Sequence, residues 1–408
     1  VWVIAVVSIL LMLVRPKRTT EALWVCLGAA ILVLTRLVST GRAAAAARAG
    51  IDVYLFLAGM MVLAELARQT GVFDWIADIA TRHAGGSAAR LFLLVYVTGT
   101  IVTVLLSNDA TAVVLTPAVL AAVRRAEVNP KPHLLACAFV ANAASFALPI
   151  SNPANLVVYQ SHLPPLFDWL RIFWLASLVS IACTFVCLRW LERKKLRQPI
   201  PDRGAKWVLG AEGRLAFAGL LVGAGILLAA SARGMALGLP TCVGALAALL
   251  LVSFRNRRLL GTVAKGVSWS VLPLVAGLFV IVEALNGAGL LDAARSGLLW
   301  LAAMPQWMGR LAAGFAVAFV SNVMNNLPVG LASGAAIRYN AGFMSLGHAV
   351  LLGVDLGPNL SVTGSLATIL WLIAMRRENV EITAWQFVKA GMVVMPAALF
   401  LAILALGR

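Results

Sequence analysis

Ser107-Asn108-Asp109-Ala110-Thr111 sets hydroxyl, amide and carboxyl groups between two apolar runs, and Ser321-Asn322-Val323-Met324-Asn325-Asn326 sets hydroxyl and amide groups in the same way late in the chain. Two more polar islands lie in apolar surroundings, LPISNPANL at 148–156 and LGPNLSVTGSLAT at 356–368. Amide and hydroxyl side chains both donate and accept hydrogen bonds. Ser107, Asn108, Thr111, Ser151, Asn152, Asn155, Ser321, Asn322, Asn325, Asn326, Thr363, Ser365 and Thr368 therefore suit a polar ligand carrying several hydroxyl groups. The plainer role for any one of them is to cap a helix. Pro149, Pro153 and Pro358 lack a backbone donor and break helices, whereas Gly357 and Gly364 admit unusual dihedrals. Each island is expected to end one half-helix and start another, whose N-terminal N–H groups can face a ligand oxygen.

Asp109 and Asp355 are the acids nearest these breaks. An ionised acid at the bilayer centre costs roughly 2.5–3.5 kcal/mol on insertion scales, so the role read for both is proton carriage. Glu65 and Glu283 complete the proton-coupling candidates; Arg68, one turn on, can pair with Glu65, while Glu283 has no basic neighbour in sequence. Cys183 and Cys187 stand a helical turn apart in an apolar run, where burial is the ordinary fate of cysteine, and His348 sits at the mouth of a broken span. No HExxH, GxSxG or paired Cys/His spacing occurs, so neither an enzyme nor a metal or cofactor site is expected.

The elements that must hold these residues are membrane helices. Apolar residues make up 62% of the 408 and charged residues only 12%, and mean hydropathy is +0.94. Soluble domains average about 45–50% apolar and about 25% charged. Runs long enough to span a bilayer core, which needs about 20 apolar residues, recur along the chain, without the alternation of a membrane barrel. The opening VWVIAVVSILLMLV lacks a basic leader, is followed by RPKR, and is read as a first span that has lost its start rather than a signal peptide. All five cysteines fall in apolar runs, so a disulfide framework is not expected. The formal charge of +17 clusters at the ends of apolar runs, the positive-inside pattern of a polytopic protein and not a nucleic-acid surface.

Apolar spans are read at 1–14, 22–38, 51–67, 134–161, 170–190, 214–232, 237–253, 266–287, 347–375 and 383–406. The segments 90–124 and 308–338 are too long for one plain helix and are read as re-entrant hairpins with SND and SNVMNN at their tips. Arg82 and Arg90 before the first hairpin, and Arg124, Arg125 and Lys131 after it, put both of its ends on the cytoplasmic side. Arg15, Lys17, Arg18, Arg193, Lys194, Lys195, Arg197, Arg203 and Lys206 then fall inside as well, as do Arg255, Arg257, Arg258, Lys265, Arg376 and Arg377. A scatter including Arg36, Arg233, Arg338 and Arg408 remains outside.

The halves repeat. GMMVLAELARQTGVFD (59–74) aligns with GLFVIVEALNGAGLLD (277–292), Ser107-Asn108 with Ser321-Asn322, and Ser151 with Ser365. Five spans per half invert the second copy, as in secondary transporters with a midplane site. The fold expected is thus an all-α polytopic membrane protein of about ten transmembrane helices plus two re-entrant hairpins. Residues 1–190 form the first inverted repeat, 191–213 a cytoplasmic linker and 214–408 the second repeat.

GVDLGPNLSVTGSLATILWL (353–372), with SNDATAVVLTP and SNVMNNLP, resembles the ArsB-type arsenite/antimonite efflux permeases of the ion transporter superfamily over nearly the whole chain. The resemblance implies export of trivalent arsenic and antimony hydroxides in exchange for protons across the inner (plasma) membrane. It also implies, in some systems, help from an ArsA-type ATPase, and an elevator-like movement of hairpins and broken helices against a scaffold. A sodium/proton antiporter or a sodium-coupled carboxylate carrier of the same superfamily is the alternative. The islands hold no Arg or Lys, which favours an uncharged trihydroxide, because a carboxylate calls for cationic compensation. Lipid is the expected surroundings, and nucleic acid is not a partner.

Overall fold

The structure, a computed structural model, describes residues 1–16, 19–198, 200, 208–337, 343–380 and 382–407. Lys17, Arg18, Arg203, Lys206, Arg338 and Arg408, whose charges entered the topology reading, lie outside them, as does part of the 191–213 linker. Ten helices precede that linker: α1 (Trp2–Val14), α2 (Glu21–Leu34), α3 (Thr40–Ala49), α4 (Ile51–Gln69), α5 (Val72–His83), α6 (Ala88–Leu105), α7 (Thr116–Arg125), α8 (Pro130–Ala143), α9 (Pro153–Tyr159) and α10 (Leu166–Leu191). Ten follow: α11 (Ala211–Ala232), α12 (Gly238–Ser253), α13 (Arg258–Gly266), α14 (Val271–Gly287), α15 (Leu290–Ala302), α16 (Gln306–Met324), α17 (Asn326–Ile337), α18 (Met344–Leu356), α19 (Leu366–Arg377) and α20 (Ala384–Leu404).

The chain is an all-helical, multi-pass membrane protein. Among the described residues six stretches are long and apolar enough to cross a bilayer, and a seventh if α3 and α4, bent by 46°, count as one. The reading of ten spans exceeds this because α1, α2 and α12 have 13, 14 and 16 residues, short of the about 20 that a straight crossing needs; two of the six, α6 and α16, lie instead in the segments read as hairpins, each being one arm long enough to cross. The spans read at 134–161 and 347–375 are each interrupted in the middle. Large apolar side chains face outward along α10, α11 and α12: Leu178, Val186, Val222 and Leu239 are more than half exposed. Such a belt is untenable in water and natural against lipid.

Glycines set the helix crossings. A Cβ on Gly59 of α4 would lie 2.7 Å from the Thr241 backbone of α12, and one on Gly277 of α14 would lie 2.8 Å from Val25 of α2. Gly71 and Gly289 begin α5 and α15 in the left-handed region, at φ 74° and 91°, where a side chain would be strained. These glycines stand at the positions paired in the sequence alignment.

All four islands interrupt helix. α6 stops at Leu105, and a π-helical stretch at Ala110–Leu115 leads into α7. α16 stops at Met324, Asn325 turns at φ 75°, and α17 follows. α8 and α9 are separated by a 3₁₀ turn at Pro149–Ser151, and α18 and α19 by turns at Gly357–Asn359 and Val362–Gly364.

Candidate functional site

The two broken spans are bound to each other by a buried polar network. Asp355, at the end of α18, is fully buried. Its Oδ1 accepts from Asn152 Nδ2 at 2.8 Å, and its Oδ2 lies 2.7 Å from Ser145 Oγ. Beside it Asn142 Nδ2 donates to Asn359 Oδ1 at 3.0 Å, and Asn359 Nδ2 donates to the Phe139 carbonyl at 3.1 Å. Each link runs from the last turn of one half-helix into the break of the other span. Asn152 serves two ends at once. Its Oδ1 caps α9 by accepting from Ala154 N–H at 3.0 Å, which leaves its amide hydrogens for Asp355.

The tips are tied to the breaks. Asn322 Nδ2 donates to the Ala318 and Gly357 carbonyls, both at 2.8 Å, and its Oδ1 accepts from Ser361 Oγ at 2.6 Å. Thr363 Oγ1 donates to the Asn322 carbonyl at 2.9 Å, and Asn325 Nδ2 to the Thr363 carbonyl at 3.4 Å. Thr363 is exposed, Ser361 and Asn322 are half-buried, and Ser321, Asn325 and Asn326 are buried. At the other tip Ser107 Oγ accepts from Ala110 N–H at 3.2 Å, Asn108 Oδ1 from Asp109 N–H at 2.9 Å, and Thr111 Oγ1 meets Thr103 Oγ1 at 2.8 Å. Ser151 Oγ donates to the Val104 carbonyl at 3.1 Å, joining the first break to the end of α6. Ser365 caps α19 on Thr368 N–H at 3.2 Å.

The halves interlock crosswise. The 110–115 stretch packs on α19 and α17 packs on α9, so each tip segment lies against the broken span of the other half. Gly334 makes the second contact possible, since a Cβ there would stand 2.2 Å from the Val158 carbonyl oxygen. Among the described residues no side-chain hydrogen bond joins the 107–111 tip to the 321–326 tip.

The acids divide into two kinds. Among the described residues the half-buried Asp109 carboxylate has no hydrogen-bond or ion-pair partner. Glu65 receives Arg68 at 2.5 and 2.7 Å and Gln69 at 2.7 Å, and packs on Gly266. Glu283, without a basic neighbour in sequence, is paired across the fold: Arg42 Nη2 and Nε donate to its Oε1 at 2.8 and 2.9 Å. The two glutamates stand apart from the island network, held in ion pairs. Asn155 donates its amide to the Ser145 carbonyl at 3.0 Å, while its Oδ1, like Ser321 Oγ, is buried with no partner among the described residues.

Asn142, Ser145, Asn359 and Ser361 belong to the network and were not among the residues singled out from sequence. Asn142 and Ser145 lie three positions apart just ahead of the first break, which was the available signal. The cysteines are free, with Cys183 and Cys187 sulfurs 4.0 Å apart. His348 is part-buried, with neither ring nitrogen hydrogen-bonded among the described residues. Among the described residues no group of His, Cys, Asp or Glu could hold a metal.

Outward-facing apolar helices thus surround polar breaks whose side chains are amides, hydroxyls and carboxyls. The sequence model of the citrate transporter family, CitMHS, matches residues 8–353, and the chain belongs to that family of secondary transporters. It is similar to an arsenical pump membrane protein of Escherichia coli, 26% identical over 99% of this chain and 97% of the relative. The corresponding protein of strain K12 is 27% identical, with the same coverage. An uncharacterized transporter of Mycobacterium tuberculosis (strain CDC 1551 / Oshkosh) is 30% identical over 95% of this chain and 92% of the relative. The crystal structure of the Alcanivorax borkumensis YdaH transporter shares the fold, with a TM-score of 0.55 at 15% identity, covering 91% of this chain and 87% of that one.

Proposed function

We propose that this protein exports arsenite or antimonite, as the uncharged trihydroxide, in exchange for protons. The observation that carries the reading is the chemistry of the islands. Their hydrogen bonds run among amides, hydroxyls and backbone groups, with Asp109 and Asp355 as the ionisable members and no Arg or Lys. A neutral polyhydroxide matches that lining; a dicarboxylate would leave its charges uncompensated. Asn155 Oδ1, buried without a partner, accepts a ligand hydroxyl in this scheme. The arsenical pumps among the relatives point the same way.

A neutral cargo gains nothing from membrane voltage, so an ionisable group must provide the coupling. One charge crossing about 100 mV supplies about 2.3 kcal/mol, a gradient of roughly fiftyfold. Asp109, free of internal partners, takes up the external proton as cargo leaves and returns it to the cytoplasm. Asp355 is the second coupling group, and Glu65 and Glu283 are assigned to ion pairs that hold the fold.

The architecture proposed is an inverted repeat, 1–190 and 214–408 about the cytoplasmic linker 191–213, with 90–124 and 308–338 as re-entrant hairpins from opposite faces. The serial match of α2–α10 to α12–α20 and the paired glycines at 59/277 and 71/289 support it. The hairpins and broken spans move together as an elevator against the other helices, in the inner membrane. An ArsA-type ATPase is an optional partner. The family's description as citrate transporters favours one second reading, a sodium-coupled carboxylate carrier. Transport in proteoliposomes separates the two: arsenite counterflow with protons, indifferent to sodium and citrate, supports the first, and sodium-dependent citrate uptake replaces it with the second.

A further inference from the structure

A cavity of about 420 Å³ opens where the first turns of α8 and α20 meet the last turn of α10, away from all four islands. Lys131, Lys195 and Lys389 line it, and Glu192 is the one acid among the described lining residues. Lys195 Nζ is held by Glu192 at 2.6 Å, and Lys389 lies 5.5 Å from the centre of the Trp385 ring. Three lysines against one glutamate make these described lining residues doubly positive in sum. We propose that this cavity binds the phosphate ester headgroup of an anionic phospholipid.

Three features select that occupant. The cationic rim sits over an apolar wall that includes Leu135 and Leu191, which a glycerol backbone and acyl chain can cover and a hydrated inorganic ion cannot. Trp190 and Trp385, 56% and 59% exposed, neighbour the lining residues Leu191 and Gln386 in sequence, and exposed tryptophan is the residue type favoured at a membrane interface. The N-termini of α8 and α20, capped by Asn129 and Thr383, add partial positive charge at the same end. The site also rests on the sidedness proposed above. Lys131, Lys194, Lys195 and Arg197 place it at the cytoplasmic leaflet, where anionic lipids attract juxtamembrane lysines. A bound lipid would join α8, part of the first broken span, to the α10–α20 pair.

The test uses the full chain in a neutral detergent and needs no transport, so its failure is distinct from failure of the arsenite reading. Thermal unfolding and native mass spectrometry are compared with added phosphatidylglycerol, phosphatidylcholine or inorganic phosphate, for wild type and a K131Q/K195Q/K389Q variant. The proposal expects phosphatidylglycerol to raise the melting temperature of wild type by several degrees and to stay bound in the gas phase. It expects phosphatidylcholine to do neither, and the variant to lose the response at least tenfold in lipid concentration. Equal effects of the two lipids, or an undiminished response in the variant, would overturn it. Protection by inorganic phosphate at matched concentration would overturn the lipid as occupant. Should the triple variant fail to fold, Lys131→Gln alone, on a lysine with no acid partner among the described residues, must still lower phosphatidylglycerol retention.

Discussion

Ser145 has one hydroxyl proton and two acceptors in reach, the Asn142 carbonyl at 2.8 Å and Asp355 Oδ2 at 2.7 Å. Only one can receive it. When Asp355 is ionised the hydroxyl turns to the carboxylate; when Asp355 is protonated the carboxyl donates and Ser145 keeps its proton on the carbonyl. Asp355→Asn reproduces the neutral form, accepting from Asn152 and donating to Ser145. It is expected to melt near wild type while export loses its pH dependence. Asp355→Ala strands the Asn152 amide, and a buried donor without a partner costs about 1–3 kcal/mol. That variant is expected to melt several degrees lower, read by thermal unfolding in detergent. Asp355 was legible from sequence as a costly acid beside a break; its partner Ser145 was not, because nothing local shows that two breaks separated by two hundred residues cross.

At the scale of the element, the decisive contacts are close approaches that only glycine permits. Gly334→Val would drive a side chain into the Val158 backbone, 2.2 Å from the would-be Cβ, and backbone cannot yield as a rotamer can. Loss of export together with a lower melting temperature is expected. Gly330→Ala, 3.2 Å from a Val158 methyl, is expected to be tolerated in both measurements. The Arg42–Glu283 pair is the contrasting case. With its side chains 54% and 29% exposed, it is worth under about 1 kcal/mol. Glu283→Gln should therefore keep full export, and a loss of proton coupling there would move Glu283 into the mechanism. Helix interruptions were readable from Pro, Gly and Asn in apolar runs, and all four occur. The Arg42–Glu283 pair was hidden, because α3 and α14 meet only through the tertiary fold.

Across the whole molecule, the apolar composition and the basic run ends gave the multi-pass helical class directly. The number of crossings was less accessible: short and broken helices divide what hydropathy alone counts as single spans. The molecule-scale claim is that two polar tips, each packed on the other half's broken span, carry a neutral hydroxide while a carboxyl follows acidity. Everted membrane vesicles loaded at acid pH test it most directly, with arsenite accumulation measured after transfer to neutral buffer. The account predicts uphill accumulation without sodium, unaffected by citrate, and abolished in a folded Asp109→Asn variant. Accumulation by Asp109→Asn with unchanged pH dependence, or sodium-driven citrate uptake with no movement of arsenite, would contradict it.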